Sequence, residues 1–599
     1  MIRILLILIT TFFIIGNETI AQKEDHQWIY NFSNAFFTEP GDTWGCSIID
    51  FNNLPPEVFE FQDITLSFKE TNAVFSDEES GEILFYTNGQ EIRGSRHSPI
   101  LGGDTINYGP RWDIFTDAVP AGQTTGFAGV QEIGFIPQPE TDTLLVLYQN
   151  TNEFFEVGDA FNYHLMQAKI ADVNGVPTVV SEDEVLNDQI RVKGNLTACK
   201  HANGRDWWIL QFTRDTVYTY AITPEGVALN HIQRLPFSLI HPFTGQSKFS
   251  PKGDRFAIHG VFDLNSDEGK GLMISGFDRS TGDLINPQLD ILPSHDNLLS
   301  NGLEFSSSGE LLYISTQTTI RQYDLLDNDV FSTMQIVAVN DSVQNCSIDV
   351  GSAVAFIGQM QLAPDNQIYI SLTAQCNDVH IIRHPDIRGV GCEVEQNAIV
   401  LPTFVFGTIP NTNTYRLGPL DGSPADTLGI DNLPVSRFWY EQDSSDFLSV
   451  QLWDVSYFRP EQWQWSFGDG QTSTERHPLH SYESNGIYEV CLTVSNENSN
   501  DTSCETLYLG VSDTEDMESD IFLSVFPNPT KGLTRFLLSG YLPQDGVLTL
   551  YDLQGRVVHT QQMRTGATVV DLSGLHIGTY VYELRDGNVV KESGKVVRI

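Results

Sequence analysis

The stretch Phe249-Ser-Pro-Lys-Gly-Asp-Arg-Phe-Ala-Ile258 decides the fold of the first two-thirds of the chain. An apolar residue precedes a Pro- or Ser-containing polar turn with Gly or Asn, and a strand follows the turn. The pattern recurs, with differences in detail, in stretches that begin at Phe75, Phe135, Cys199, Phe305 and Leu362. These anchors lie 50 to 64 residues apart, a period that is typical of one four-stranded blade per repeat in a β-propeller.

The number of blades follows from how such repeats bury their surfaces. A single blade has two faces, and only neighbouring blades can cover both, so the repeats must close into a ring. Six anchors are visible, and further strand-like segments occupy residues 27–61 and 400–415. We expect these two ends to complete a seventh blade, with six or eight blades as alternatives.

The composition agrees with an all-β fold and limits the partners. The 599 residues include 48 glycines and 11% aromatic residues, which suits short strands and tight turns. Lysine and arginine number 33 against 78 acidic residues, which gives a formal charge of −45. Because such a surface repels phosphate backbones, we expect no nucleic-acid partner. The charge favours solubility, and attraction of a cation is the alternative.

A second module is marked by Trp463-Gln-Trp-Ser-Phe-Gly-Asp-Gly470. Trp465 and Phe467 alternate on one face of a strand, where they can fill the space between two sheets. Asp469 and Gly470 form a pair that favours a tight turn. The stretch resembles that of a PKD (polycystic-kidney-disease) domain, which implies an Ig-like β-sandwich. A catalytic role for Asp469 is the alternative, but the turn accounts for the residue.

The C-terminal stretch opens with Val525-Phe-Pro-Asn-Pro529 and closes with Lys595-Val-Val-Arg-Ile599. It resembles the type A C-terminal sorting domain of the Bacteroidetes type IX secretion system. The resemblance implies a β-sandwich that the type IX secretion machinery recognises, followed by export to the cell surface or the medium. The sorting-motif residues are Pro527, Asn528, Pro529, Gly555, Gly578, Tyr580 and Lys595.

The N-terminus reads as a secretory signal peptide. A single positive charge at Arg3 precedes an apolar run from Ile4 to Ile15, and small residues follow, so we expect cleavage before Gln22. The run is shorter than the roughly 20 residues that span a bilayer. Since no other run is long enough, we expect no transmembrane span in the mature chain.

These patterns predict five parts of the chain. The turn-rich stretch Asp421-Gly-Ser-Pro-Ala-Asp426 marks the boundary between the first two folded domains. The parts are a signal peptide (1–21), a β-propeller-like domain (22–420), a PKD domain (430–511), an acidic linker (512–520) and a sorting domain (521–599).

The seven cysteines of an exported chain favour disulfides. Cys491 and Cys504 lie on two predicted adjacent strands, so we expect them to be bridged. Cys376 and Cys392 are the next candidate pair. Three further cysteines have no assigned partner, namely Cys46, Cys199 and Cys346.

Two weak metal candidates remain. Asp263, Asn265 and Asp267 place oxygen ligands at alternate positions, as a calcium loop does, but the glycine falls one position late. A polar loop between strands is the simpler interpretation. Cys376, His380 and His384 have a spacing that zinc could use, but no fourth ligand is evident.

The sequence predicts a secreted or surface-attached binding protein without enzymatic activity. The first region resembles a propeller-like family of Bacteroidetes surface proteins, on stretches such as Trp44-Gly-Cys-Ser-Ile-Ile-Asp-Phe-Asn52 and Phe277-Asp-Arg-Ser-Thr-Gly282. Extracellular polysaccharide and other surface proteins are the partners that we expect. The alternative is a secreted hydrolase of polysaccharide or protein, with a carboxylate pair in the propeller.

Overall fold

The computed structural model describes most of the chain outside its N-terminal segment. The described residues are 22–31, 44–64, 66–109, 112, 124, 126–127, 129–150, 163–190, 194–213, 215–238, 245–264, 267–292, 302–340, 356–373, 375–442, 446, 448–509, 522–526, 530, 533–539, 546–552, 555–563, 567–576, 578–586 and 589–598. The predicted signal peptide and acidic linker lie outside these residues. The chain separates into two compact units, unit 1 with Met1–Tyr482 and Tyr488–Leu507, and unit 2 with Glu483–Ile487 and Tyr508–Ile599.

Unit 1 begins with seven consecutive antiparallel sheets between residues 27 and 406, which we call the seven-sheet region. Each sheet is a meander of strands in chain order. Sheet 1 contains β1 (Gln27–Tyr30), β2 (Trp44–Asp50) and β3 (Glu57–Ile64). Sheet 2 contains β4 (Ala73–Ser76), β5 (Ile83–Thr87) and β6 (Ile92–Gly94). Sheet 3 contains β7 (Ile133–Pro137), β8 (Leu144–Asn150), β9 (Tyr163–Asp172) and β10 (Pro177–Ile190).

The remaining four sheets have four strands each. Sheet 4 contains β11 (Ala198–Lys200), β12 (Trp207–Phe212), β13 (Thr216–Thr223) and β14 (Gly226–Arg234). Sheet 5 contains β15 (Ser247–Phe249), β16 (Arg255–Leu264), β17 (Asp267–Asp278) and β18 (Asp283–Ile291). Sheet 6 contains β19 (Leu303–Phe305), β20 (Leu311–Ser315), β21 (Thr319–Asp324) and β22 (Gln335–Val339). Sheet 7 contains β23 (Ile357–Leu362), β24 (Ile368–Leu372), β25 (Gln375–Ile382) and β26 (Val394–Phe406). Two 3-10 helices also lie among the described residues, Val330–Thr333 and Gly389–Cys392.

Apolar side chains pack each sheet from 2 to 7 against the next. Sheets 2, 3 and 4 share one core, to which Phe75, Phe135 and Trp207 contribute. Further shared cores join sheets 4 and 5, sheets 5 and 6, and sheets 6 and 7. This is how flat sheets with two apolar faces bury both of them.

Sheet 1 connects the two ends of this series. Its Trp28 meets Tyr369 of sheet 7 edge to face, with ring centroids 5.4 Å apart. The Ser47 and Thr403 hydroxyl oxygens of the same two sheets lie 2.7 Å apart. On the other side, the Nδ2 of Asn72, just before sheet 2, donates to the carbonyl of Ile29 at 2.8 Å. The sheets therefore pack on one another in a closed cycle, as the predicted ring requires. That these seven sheets are the blades of a propeller is our interpretation.

The sequence anchors coincide with one structural position. Each of the six lies on the first strand of its sheet, from sheet 2 to sheet 7: Phe75, Phe135, Cys199, Phe249, Phe305 and Leu362. The repeated pattern thus marks the step from the first strand, through the polar turn, to the second strand.

The prediction that residues 400–415 complete a blade together with the N-terminal strands is wrong. Residues 400–406 belong to β26, which pairs with β25 and so extends sheet 7 instead of completing sheet 1. The chain then continues without a strand, and Asn411 reaches three earlier sheets. Its Nδ2 donates to the carbonyls of Ile133 at 2.8 Å and Leu196 at 3.0 Å, and its backbone N donates to that of Asn72 at 2.8 Å. The two ends of the region meet through side chains of sheets 1 and 7, and the segment after β26 bonds to residues in or next to sheets 2, 3 and 4 without forming a shared blade.

The second part of unit 1 is a two-sheet sandwich, as predicted. Its strands are β27 (Phe438–Gln442), β28 (Ser449–Asp454), β29 (Gln462–Ser466), β30 (Thr472–Ser473), β31 (Leu479–Ser481), β32 (Gly486–Ser495) and β33 (Asn500–Leu509). The sheet orders are β27-β28-β31 and β30-β29-β32-β33. Trp465 is completely buried, and its ring packs edge to face on Phe438 with centroids 5.0 Å apart.

Unit 2 is a second small sandwich. Its strands are β34 (Phe522–Phe526), β35 (Leu533–Ser539), β36 (Gly546–Tyr551), β37 (Val557–Gln562), β38 (Ala567–Asp571), β39 (Gly578–Asp586) and β40 (Val589–Arg598). The sheet orders are β34-β35-β38 and β37-β36-β39-β40. Phe536, Leu550 and Leu584 lie in the shared core. In neither unit do the described residues include a helix with the length and hydropathy of a membrane span.

Candidate functional site at the junction of two folds

The sandwich of unit 1 is fastened to the seven-sheet region by Arg437. This residue directly precedes β27, and its guanidinium extends into sheet 1. Nη1 donates to Nε2 of His26 at 2.6 Å, and Nη2 donates to the carbonyl of Phe51. Burial lowers the pKa of His26 to about 3, so the imidazole is neutral and can accept the bond. The arrangement makes the sandwich a docked partner of the sheets instead of a free spacer.

A second ion pair lies beside this anchor. The guanidinium of Arg416 holds the carboxylate of Asp25 through two bonds of 2.8 and 2.7 Å. Burial alone would raise the pKa of Asp25, but Arg416 and His26 outweigh it and lower that pKa. Asp25 is therefore an ionised structural group at neutral pH.

A cavity of about 640 Å³ opens beside these contacts. The seven-sheet region and its C-terminal segment contribute Lys252, Glu310 and Thr412, and the sandwich contributes Phe458 and Trp463. The volume lies within the range of roughly 300–1,000 Å³ that is usual for small-molecule sites.

The sandwich side of the cavity carries an unusual backbone. Phe458 and Arg459 are consecutive non-glycine residues with φ of 61° and 54°. Side chains with a Cβ rarely adopt this region, and residues held there cluster at ligand sites. The geometry turns the Tyr457–Pro460 loop toward the cavity, which both residues line.

Most charged groups around the cavity are neutralised by a neighbour. The five pairs are Lys248 with Glu304 at 3.2 Å, Arg416 with Asp25 at 2.7 Å, Arg459 with Asp421 at 2.9 Å and with Glu461 at 3.5 Å, and Arg476 with Asp454 at 2.9 Å. The guanidinium of Arg279, which also lines the cavity, donates instead to backbone carbonyls. Lys252 and Glu310 are exposed at the rim.

Two neutral polar atoms of the wall are not satisfied. The hydroxyl of Thr412 and the indole Nε1 of Trp463 are buried, and neither has a hydrogen-bond partner among the described residues. Neither atom has exposed surface, so neither faces the open cavity, and a buried polar atom without a partner calls for an explanation such as strain or an internal water.

A second cavity of about 410 Å³ lies at another edge of the junction. Asp365, Glu393, Glu441 and Trp439 line it. Burial raises the pKa of Asp365 to about 6, although its carboxylate accepts bonds from the Gln367 backbone N–H and the Tyr369 hydroxyl.

The predicted disulfide between Cys491 and Cys504 is confirmed, since the two cysteines are bonded across adjacent strands of the sandwich. The candidate pair Cys376–Cys392 is wrong. Cys376 is in a disulfide whose other half lies outside the described residues, and Cys392 is a buried free thiol. Cys46 and Cys199 are also free and buried.

The metal candidates gain no support. Asn265 lies outside the described residues, and Asp263 and Asp267 sit on the paired strands β16 and β17. The zinc hypothesis fails because the sulfur of Cys376 is bonded in a disulfide, and a thiolate is what zinc binds. His384 instead stacks on Trp453 with centroids 4.5 Å apart. No group of three metal-ligating side chains occurs in the described part of the chain.

Asp469 is a structural residue, as the turn interpretation holds. Its Oδ1 accepts the Gln471 backbone N–H at 2.9 Å, and its Oδ2 lies 2.9 Å from Nε2 of His480. The His480 ring stacks on Phe467 at 3.9 Å. The carboxylate therefore links the turn to a neighbouring strand.

The sorting-motif residues are described in part. Pro527, Asn528 and Pro529 lie outside the described residues. Gly555 has φ of 79° in a turn closed by a bond from its N–H to the carbonyl of Asp552. The others lie on the sheet of β36, β37, β39 and β40: Gly578 begins β39, Tyr580 donates to the carbonyl of His576 at 2.6 Å, and Lys595 is exposed on β40.

The junction was not visible in the sequence. Arg437 and His26 are 411 residues apart, and neither belongs to a motif. The positive φ angles of Phe458 and Arg459 could not be predicted from the sequence either, because neither residue is glycine or asparagine.

Comparisons with known proteins identify the two C-terminal modules. Residues 448–511 match the family model of the PKD domain, and residues 524–598 match that of the secretion system C-terminal sorting domain. A collagenase, ColQ1, from Bacillus cereus is 48% identical over 42 residues, which cover 7% of this chain and 4% of the collagenase. The chain thus matches only a small part of that relative.

Among solved structures, the PKD1 domain of the Vibrio cholerae metalloprotease PrtV is 37% identical, covering 12% of this chain and 94% of that domain with a TM-score of 0.12. PorZ, a surface component of the type IX secretion system of Porphyromonas gingivalis, is 9% identical, covering 93% of this chain and 79% of PorZ with a TM-score of 0.25.

The fold and the two family models define an all-β, multidomain protein that carries an export signal. It is a type IX secretion cargo with a PKD domain, destined for the cell surface or the medium.

Proposed function

We propose that this cargo is a non-enzymatic binding protein in which the seven-sheet region and the PKD sandwich act as one binding body. The observation that carries the proposal is the cavity of about 640 Å³ between them, whose walls Arg437 holds in place. Ligand sites occur preferentially where two folds meet.

The charges of the cavity favour binding over catalysis. Asp25 and Glu304 are engaged in ion pairs with Arg416 and Lys248. A general acid needs a carboxyl that can hold a proton near neutral pH, and Arg416 lowers the pKa of Asp25. The carboxylates of the inner wall thus serve the structure.

Secreted hydrolysis is the alternative, and one observation favours it. Asp365 has a pKa raised by burial to about 6 and shares the smaller cavity with Glu393 and Glu441. Such a carboxyl has the protonation behaviour of a general acid. If hydrolysis occurs, Asp365→Asn should abolish it.

The test uses the mature chain, residues 22–599. Binding to immobilised polysaccharides, matrix proteins and bacterial cells is measured together with release of soluble fragments. Thr414→Trp places a large ring in the cavity wall, and Thr141→Trp, in an exposed turn of sheet 3, is the control.

We expect binding without fragment release, at least a tenfold loss in Thr414→Trp, and no loss in the control. Binding that survives Thr414→Trp would contradict the assignment of the cavity. Fragment release that depends on Asp365 would establish the alternative.

A further inference from the structure

The disulfide between Cys491 and Cys504 joins β33, an edge strand of the PKD sandwich, to its neighbour β32. We propose that this bond is a redox-sensitive lock on the junction: while it is closed, β33 stays in place and holds the segment that carries Arg437. The proposal goes beyond the proposed function, because it concerns how the two folds are held together and not what the cavity binds.

The strand β33 is weakly held apart from this bond. It lies at the edge of the sheet β30-β29-β32-β33, so it is paired within that sheet through β32 alone. None of its first seven side chains, from Asn500 to Thr506, is buried. A segment with few buried apolar contacts opens locally at a low cost in free energy. Without a covalent tie, this stretch would therefore open more readily than the buried strands beside it.

The disulfide ties this exposed stretch of β33 to β32. On the same two strands, the hydroxyl oxygens of Thr493 and Thr502 lie 2.8 Å apart. A hydroxyl contact of this kind is lost whenever the strands separate, whereas the disulfide keeps Cys504 beside Cys491 during every local opening. Because a cross-link removes open conformations from the accessible ensemble, the residues next to Cys504 stay on β32.

Two side chains of the tied stretch bind Ser436, the residue before Arg437. Oδ2 of Asp501 accepts the Ser436 backbone N–H at 2.8 Å. The Ser436 hydroxyl donates to the carbonyl of Leu492 at 2.8 Å, and it can accept from the Ser503 hydroxyl, whose oxygen lies 2.9 Å away. Both strands of the hairpin thus fix the backbone from which the Arg437 side chain extends into the junction.

The bond is within reach of a soluble reductant. Cys504 is exposed and Cys491 is half-buried, whereas the disulfide-bonded Cys376 is fully buried. A thiolate of a small dithiol attacks one sulfur, the S–S bond breaks and a mixed disulfide forms. The second thiol of the dithiol then displaces that sulfur. Both cysteines become thiols, and the dithiol is oxidised to its own disulfide.

Opening the bond changes what holds the junction. In each local opening β33 then leaves β32, and Asp501 and Ser503 leave Ser436 with it. The segment that carries Arg437 gains freedom, so its guanidinium meets His26 less often. The shared cores of sheets 2 to 7 do not include these residues and keep their packing.

The experiment compares two pairs of substitutions on the same two strands of the mature chain. The test variant combines Cys491→Ala with Cys504→Ala. The matched control combines Thr493→Ala with Thr502→Ala, which removes a neighbouring contact that is not covalent. A third variant, Asp501→Ala, keeps the disulfide and removes the acceptor of the Ser436 N–H.

Hydrogen exchange, followed by mass spectrometry at pH 7, reports on the junction without any ligand. Peptides covering residues 22–31 and 433–440 contain His26 and Arg437. A peptide covering residues 207–223 of sheet 4 serves as the reference for the seven-sheet region.

In the cysteine variant, exchange of both junction peptides should rise at least about tenfold, because a cross-link that closes a short loop suppresses opening by more than this factor. Asp501→Ala should raise it in the same two peptides, and the threonine control should change it by less than about twofold. Exchange of residues 207–223 should stay at the wild-type rate in all three variants.

Reduction of the folded wild type gives the same answer without a substitution. The protein is treated with dithiothreitol and alkylated with iodoacetamide, and peptide mapping shows which sulfurs have been reduced. Once Cys491 and Cys504 are alkylated while Cys376 is still bonded, exchange of residues 22–31 should rise as in the cysteine variant.

Two results would overturn the lock. If exchange rises in residues 500–509 alone, the disulfide stabilises only its own strand and does not act on the junction. If the threonine control raises exchange of residues 22–31 as much as the cysteine variant does, the covalent bond has no special role.

Discussion

Replacing Arg437 by methionine tests how much this one side chain contributes to holding the PKD sandwich on the seven-sheet region, beside contacts such as the stack of His384 on Trp453. The variant keeps an unbranched apolar stem and loses the bonds to His26 and to the carbonyl of Phe51. A hydrogen bond from a charged donor contributes about 1.5–3 kcal/mol. Because the variant no longer buries a cation, we take the lower end for each bond and expect a loss of about 3 kcal/mol.

Calorimetric melting of the mature chain measures this loss, with Arg459→Met as the control. The Arg459 guanidinium is half exposed and pairs with Asp421 at 2.9 Å, so its removal should cost less than about 1 kcal/mol. A second readout is the pKa of His26, which burial lowers first and Arg437 lowers further. That pKa should rise in Arg437→Met. Equal melting of the two variants, with an unchanged His26 titration, would refute the anchor.

Three further results are expected. Deletion of residues 521–599 should leave the protein in the periplasm of the native host, as fractionation and blotting would show; unchanged surface levels would contradict the sorting assignment. Burial raises the pKa of Asp365 to about 6, so the folded state favours the protonated carboxyl and stability falls as the pH rises from about 4 to 6. Asp365→Asn should therefore exceed the wild type by up to about 3 kcal/mol in melts at pH 8 and match it at pH 4; equal pH profiles would contradict this. A Cβ on Gly468 (φ 81°) would lie 2.7 Å from the Glu489 carbonyl oxygen, whereas one on Gly470 (φ 92°) would meet open space. Gly468→Ala should thus cost about 3 kcal/mol and Gly470→Ala about 1 kcal/mol in urea unfolding, and equal losses would exclude the contact.

Local patterns predicted the sheets well. The anchors from Phe75 to Leu362 all lie on first strands, because an apolar residue before a polar turn is a property of a few neighbouring residues. The Trp465 core and the Cys491–Cys504 bridge follow the same logic. The period-two pattern of a strand fixes which side chains face inward.

Contacts between distant residues were beyond that reasoning. The segment 400–415 had a strand-like composition, but only residues 400–406 form a strand, and their register with β25 places them in sheet 7. Cys376 and Cys392 are close in sequence, but Cys376 lies at the start of β25 and Cys392 lies just before β26, at the opposite end of that strand pair. Cys376 is therefore in a disulfide with another cysteine, and Cys392 is a free thiol. The cavity lies between two parts of the chain that meet at contacts such as Arg437 with His26, which no short pattern encodes.

The amide of Asn411 has a consequence for the order in which the molecule matures. It satisfies carbonyls of Ile133 and Leu196, which are synthesised 278 and 215 residues earlier. Contacts over such sequence separations form slowly, because long stretches of chain must be brought together first. The early sheets therefore gain this contact only after residue 411 has been synthesised, and a chain truncated before Asn411 would leave both carbonyls without this donor and the early sheets more open to proteases.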